Sequence, residues 1–142
     1  MAAAAIVLLS MRQAPPLDRQ SPLVLESQRD AAHMAGRRAV SDYLASHYDG
    51  RAILMSMGSL GHYMHDLSHA GFRIKNFMHE GNDDAWPFAL LRPRGMVGWI
   101  VIEEQAEGGD ALFWQAKRNR QFLEGFTRVA EGGNVALYRA AD

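Results

Sequence analysis

The sequence predicts an α/β protein, a small three-layer sandwich with a mostly parallel central sheet and a C-terminal antiparallel hairpin. Two observations support this fold class. Helical stripes alternate with strand-like apolar runs along the chain, which is the order that builds a parallel sheet covered by helices. Near the end, apolar runs at 126–130 and 135–138 flank the turn Glu131-Gly132-Gly133-Asn134, a pattern typical of a hairpin.

Composition narrows the class of protein before any motif is considered. The chain has 142 residues, which fits one domain, and its 48% hydrophobic content with a net charge of −1 excludes disorder along its whole length. No cysteine is present, which excludes a disulfide scaffold and a cysteine-zinc site. The near-neutral charge also argues against a nucleic-acid partner, since such proteins usually carry a basic excess.

The chain begins with an apolar stub at residues 1–12. Its run AAAAIVLL is too short to cross a bilayer, which takes about 20 residues, and it lacks the basic segment of a signal peptide. Three interpretations are open: a frayed tail, a short buried helix, or the last two turns of a transmembrane helix. Residues 13–21 are polar and contain prolines, so they are a predicted linker, and 22–142 are the predicted soluble α/β domain.

Elements follow in order from Pro22. Residues 23–25 are a predicted edge strand, and 30–47 a helix with an apolar stripe. That stripe consists of Ala32, Ala35, Ala39, Val40, Tyr43 and Leu44. Residues 52–57 are apolar on both faces, as in a strand buried between helices.

The second half of the domain repeats this alternation. Ser59 is the predicted N-cap of a helix with Leu60, Tyr63, Met64 and Leu67 in the core. A short strand is expected at 72–77, a short helix from Asp83, the clearest strand at 97–103, and a further helix from Asp110.

Two loops at the carboxyl ends of strands are candidate sites, because ligands of parallel sheets bind there. The first is 56–59, where free N–H groups at a helix start favour an anion, although an ordinary connection capped by Ser59 also explains it. The second contains Glu103 and Glu104 beside Glu107. Paired carboxylates suit acid/base work if one is desolvated, whereas a strand end reaching water is the simpler explanation.

Three histidines form the remaining candidate. His62, His65 and His69 are spaced three and four apart, so on a helix they project from one face, opposite the core stripe. Such a set can bind zinc or another divalent metal, with Asp66 or a glutamate completing the shell. A solvated, histidine-rich helix face is the alternative, and no known metal signature is matched.

Three stretches carry a resemblance to a known family. They are RAILMSMGSLGHYMHDLSHAGF at 51–72, VGWIVIEEQAEGGD at 97–110 and FTRVAEGGNVALYR at 126–139. The chain resembles the soluble C-terminal part of bacterial multi-pass membrane glycosyltransferases of the dolichyl-phosphate-mannose mannosyltransferase type. These enzymes use polyprenyl-phosphate sugars, and a small extracytoplasmic α/β domain follows their last transmembrane helix.

The resemblance implies a fragment and not a complete enzyme. The catalytic acidic residues of that family lie in an early extracytoplasmic loop, so none is carried over, and we expect no transferase activity from this chain alone. The resemblance implies a membrane-associated, periplasmic domain with no cofactor. Such a domain would cover the active site or contact the acceptor, and its partner would be the membrane, the transmembrane part of the enzyme or a glycan. Ser59, His62, His65, Glu103 and Glu104 are the surface expected to do so. The alternative is a free-standing module that binds a metal ion or small anion.

Overall fold

The computed structural model describes residues 22–104 and 110–141, with side chains from His33 onward. The predicted stub, the predicted linker and Glu107 lie outside the described residues. The chain divides into two units, residues 1–34 and 35–142, and the packing described below belongs to the second. No helix of the described part is long and apolar enough to cross a membrane.

Helix α1 spans Pro22–His47, so the predicted strand at 23–25 is wrong. Three apolar residues in a row fit a strand or a helix equally well, and Pro22 occupies the first helical position, where proline is favoured. The buried stripe of this helix also differs from the predicted one. It runs through Gly36, Arg37, Val40, Ser41 and Leu44, whereas Ala35 and Ala39 are exposed.

Five strands of the described residues form one mixed sheet in the order β2-β1-β3-β5-β4. Their bounds are β1 Ile53–Leu54, β2 Phe77–Met78, β3 Trp99–Glu103, β4 Phe126–Gly132 and β5 Val135–Ala140. The pairs β1–β2 and β1–β3 are parallel, and β3–β5 and β4–β5 are antiparallel. The predicted C-terminal hairpin is confirmed, but the sheet is evenly mixed and not mostly parallel.

Three further helices accompany the sheet: α2 Met57–His69, α3 Ala85–Leu91 and α4 Ala111–Arg118. Ser56 and not Ser59 is the N-cap of α2, so Ser59 lies in its first turn. A 3-10 turn at Ile74–Asn76 occupies half of the predicted strand 72–77, of which only Phe77 lies in a strand. Asp110 is the N-cap of α4 as predicted, and its side chain accepts a hydrogen bond from Leu112 N–H.

Apolar residues of the sheet divide between two core clusters. Ile53, Trp99 and Val101 pack with Leu44 and Tyr63 in one cluster. Their neighbours in sequence, Leu54, Ile100 and Ile102, pack with Trp86 and Leu112 in the other. Successive side chains of a strand point to opposite faces, so β1 and β3 are buried on both, which explains their unbroken apolar sequence.

Candidate functional site

A buried ion pair joins α1 to the end of β3. Arg37 donates through Nε at 3.0 Å and Nη2 at 2.6 Å to the same oxygen of Glu103, Oε1. Glu103 is inaccessible to solvent, and the side chain of Arg37 is 11% exposed. The expectation that Glu103 reaches water at a strand end is therefore wrong, because β3 stays covered to its last residue.

Asp110 connects the same strand end to α4. Its carboxylate accepts hydrogen bonds from the N–H groups of Glu103 and of Leu112, the latter at 2.8 Å. The pKa of Asp110 is raised to about 6, chiefly by burial and in addition by the nearby charge of Glu103, against the lowering effect of the backbone hydrogen bonds. Two acidic side chains thus lie close together inside the protein, and among the described residues only Glu103 forms an ion pair.

Tyr63 brings α2 to this group. Burial raises the pKa of Tyr63 above its ordinary value, and the negative charge of Glu103 adds to the effect. The Tyr63 hydroxyl and Glu103 Oε2 are buried with no hydrogen-bond partner in the described part of the chain. We call Arg37, Tyr63, Glu103 and Asp110 the interior polar cluster.

Two of the predicted site residues, Ser59 and Glu103, are buried in the interior. Ser59 lies one turn before Tyr63 on α2 and is 1% exposed. Neither it nor Glu103 belongs to a surface, so their expected role as a contact surface is wrong. The interior polar cluster instead joins α1 and the start of α4 to the end of β3 through hydrogen bonds of Arg37 and Asp110.

His62, His65 and His69 are exposed on the outer face of α2, as the spacing predicts. The rings of His65 and His69 are 5.0 Å apart. His65 Nδ1 lies 3.0 Å from Asp66 Oδ1, and His69 Nδ1 lies 2.7 Å from the carbonyl oxygen of His65. Among the described residues no three side chains are grouped so as to hold a metal ion.

A carboxylate of the chain itself occupies the predicted anion site at the start of α2. Glu80 accepts hydrogen bonds from Ser56 Oγ at 3.0 Å and from Met57 N–H at 2.6 Å. A negative charge is favourable there because the first N–H groups of a helix lack intrahelical partners. The carboxylate that lies at 56–59 is therefore the chain's own Glu80, from the loop after β2.

Glu104, the last of the predicted site residues, is exposed and lines a groove of about 270 Å³ beside the carboxyl-terminal part of β3. We call it the Glu104 groove. Its walls come from β3, α4 and the hairpin, and the side chains used below are Glu104, Phe113, Lys117, Arg128, Glu131 and Tyr138. This open groove lies beside the second of the two strand ends named from sequence, and its lining is part polar and part apolar.

Contacts inside the groove hold its cations in place. Arg128 donates to Glu131 Oε2 at 2.7 Å and to the Tyr138 hydroxyl at 2.9 Å. The hydrogen bond to Tyr138 and, to a smaller extent, the hydrogen bond to Glu131 raise the pKa of Arg128. The guanidinium group therefore stays positively charged. Lys117 Nζ lies 4.5 Å from the centre of the Phe113 ring, a cation–π distance.

Sequence reasoning missed the partners of both groups. Arg37 shares the helical period of Val40 and Leu44, but spacing alone does not predict that an arginine is buried there, because its partner Glu103 lies 66 positions away. Arg128 and Tyr138 gave no such indication, because the antiparallel pairing of β3, β5 and β4 is what brings them to the groove that Glu104 lines. Lys117 reaches the same groove from α4.

Comparisons with family models, with curated proteins and with solved structures found no match to this chain. The function is therefore argued from the residues of the site and from the resemblance described above.

Proposed function

We propose that this chain is a non-catalytic, extracytoplasmic domain of a membrane glycosyltransferase that uses polyprenyl-phosphate sugars, and that it contacts the saccharide of the acceptor through the Glu104 groove. The observation that carries the proposal is this groove beside the carboxyl-terminal part of β3, which combines charged side chains with two aromatic rings. A three-layer arrangement, with helices on both faces of the sheet, is part of the same proposal.

Charge balance favours an uncharged ligand. The groove has two cations, Lys117 and Arg128, and two carboxylates, Glu104 and Glu131. A phosphate would gain from the cations and be repelled by the carboxylates at similar range. Hydroxyl groups both donate and accept hydrogen bonds, so a polyhydroxylated ligand can pair with all four side chains.

Size and lining agree with a sugar unit. Small-molecule sites span roughly 300–1,000 Å³, and this groove is near the lower end at about 270 Å³. Phe113 and Tyr138 supply ring surface for the apolar face of a sugar ring, while Glu104 and Lys117 are exposed and available for its hydroxyls.

The alternative, a free-standing module that binds a metal or small anion, gains less support. Its anion site at the start of α2 already holds the carboxylate of Glu80. Its metal site needs a ligand beyond the helix face of His62, His65 and His69, and Asp66 is already engaged by His65. We therefore favour the saccharide proposal.

The proposal is tested by NMR titration of the 142-residue chain with mannobiose and with glucose and galactose disaccharides. We expect one of these sugars to shift amide resonances around Glu104, Lys117 and Tyr138. Glu104→Ala together with Lys117→Ala should weaken that binding by about tenfold or more, since each removes a charged hydrogen-bonding group.

Asp66→Ala together with Lys75→Ala is the matched control, because it removes the same two charges at exposed positions outside the groove. Its affinity should equal that of the parent chain. Equal losses in both double variants, or the absence of shifts around the groove with every sugar at millimolar concentration, would contradict a saccharide site there.

A further inference from the structure

Helix α3 is apolar at all seven positions, with the sequence AWPFALL. A helix without polar residues is usually buried all round. Here only Trp86 and Ala89 are buried, whereas Phe88 is 63% and Leu91 65% exposed. The outer face of α3 is therefore a large apolar surface left open by the described residues of the chain.

The loop before β3 enlarges this surface and adds positive charge. Phe88, Leu91 and Met96 line a shallow cavity of about 410 Å³ together with Arg92 and Arg94. Both arginines are exposed, and neither forms an ion pair with a described residue. Apolar side chains and charged guanidinium groups thus share one rim.

A second cavity, of about 480 Å³, continues from the first. It shares Leu91, Arg92 and Arg94 and extends to Asn119 and Gln121. Arg118 and Arg120, which alternate with these two residues in sequence, are exposed as well. Glu124 is the acidic residue that lines this cavity, so positive charge predominates.

We infer that this surface docks on an anionic lipid bilayer, and we call Phe88, Leu91, Arg92, Arg94 and Met96 the lipid-facing patch. Apolar side chains enter the boundary between headgroups and acyl chains, and nearby arginines attract anionic headgroups. A second copy of the chain is a poorer occupant, because pairing two such patches would bring like charges together. The inference rests on the proposed function only for the presence of a membrane.

A local probe tests the inference directly. The chain has no cysteine, so Leu91→Cys and Ile74→Cys each provide one site for an environment-sensitive fluorophore. Ile74 is exposed like Leu91 but lines neither cavity, which makes it the matched control. With vesicles of phosphatidylglycerol and phosphatidylethanolamine we expect a blue shift at position 91 and none at position 74. Binding of residues 1–12 to the vesicles would not by itself produce this difference between the two positions.

Arginine variants test the electrostatic part. Arg92→Gln together with Arg94→Gln should weaken the position-91 response by roughly 30-fold, since each basic residue near an anionic surface contributes about fivefold. Arg38→Gln together with Lys75→Gln removes the same charge at exposed positions elsewhere and should change the response little.

Three results would overturn the inference. They are no blue shift at position 91, equal blue shifts at positions 91 and 74, or a position-91 response that the Arg92/Arg94 variant and the Arg38/Lys75 variant weaken equally. A blue shift that grows with protein concentration without vesicles would assign the patch to a second copy. Disaccharide binding is measured without vesicles, so failure of the lipid-facing patch and failure of the Glu104 groove are separate results.

Discussion

At the scale of single residues, the Arg37–Glu103 pair is the feature on which the interior depends. Removing two charges from water costs several kcal/mol per ion, and close pairing returns most of it. Both donor atoms of Arg37 contact one oxygen of a fully buried carboxylate. The pair therefore matters less for the stability it adds than for the cost of leaving one member alone.

Arg37→Leu should lower the free energy of unfolding by about 3–5 kcal/mol, because it leaves the Glu103 carboxylate buried without a cation. Urea denaturation followed by circular dichroism measures this. Arg38→Leu, at the adjacent exposed position, is the control and should change stability by about 0.5 kcal/mol or less. Similar losses in the two variants would contradict the buried pair.

Asp110 predicts a pH dependence. Its folded-state pKa of about 6 exceeds the ordinary 3.8, so the folded protein retains a proton that the unfolded chain releases between these values. Its contribution to stability is thus complete below about pH 4 and is lost as the pH rises through 6. The free energy of unfolding should fall, relative to that of Asp110→Asn, by about 3 kcal/mol from about pH 4 to about pH 7. A constant difference between the two proteins over this range would refute the raised pKa.

At the scale of elements, α1 and the C-terminal hairpin meet backbone to backbone. A Cβ atom added at Gly36 would lie 2.2 Å from the carbonyl oxygen of Gly132, and one added at Gly132 would lie 2.5 Å from Gly36 Cα. Because Arg37 follows Gly36 directly, this close approach also sets the position from which Arg37 reaches Glu103.

Gly36→Ala should destabilise the protein by roughly 1–3 kcal/mol, since the clash outweighs the better helix propensity of alanine. Gly61→Ala is the matched control, because Gly61 lies inside α2 with nothing within 4 Å of the added atom. That variant should stabilise the protein by about 0.5–1 kcal/mol. Thermal unfolding of both distinguishes the effects, and changes of the same sign would be inconsistent with the packing described here.

Local chemistry predicted some elements well and others badly. The hairpin, the apolar strand β3 and the Asp110 cap depend on neighbouring residues, so they were readable from the sequence. The buried stripe of α1 could not be predicted in the same way. Alanine occurs both in cores and on surfaces, and Arg37 is buried only because its partner Glu103 lies 66 positions further along the chain. Only one residue of the Glu104 groove was predicted. Glu104 was named because it follows the end of β3, whereas the other walls of the groove depend on the sheet topology.

At the scale of the whole molecule, the two proposed surfaces lie at opposite ends of β3. The lipid-facing patch lies in the segment before β3, and the Glu104 groove lies beside the carboxyl-terminal part of the strand. A domain resting on a bilayer through the patch would turn the groove towards the aqueous side, where an acceptor saccharide arrives, and away from the lipid-linked donor.

The most direct test of the proposed function is a transfer assay on the protein encoded by the full reading frame that contains these 142 residues. Glu104→Ala with Lys117→Ala should raise the KM for the acceptor by about tenfold and leave kcat and the KM for the polyprenyl-phosphate sugar unchanged. An unchanged acceptor KM, a collapse of kcat, or a reading frame without transmembrane segments upstream would contradict it.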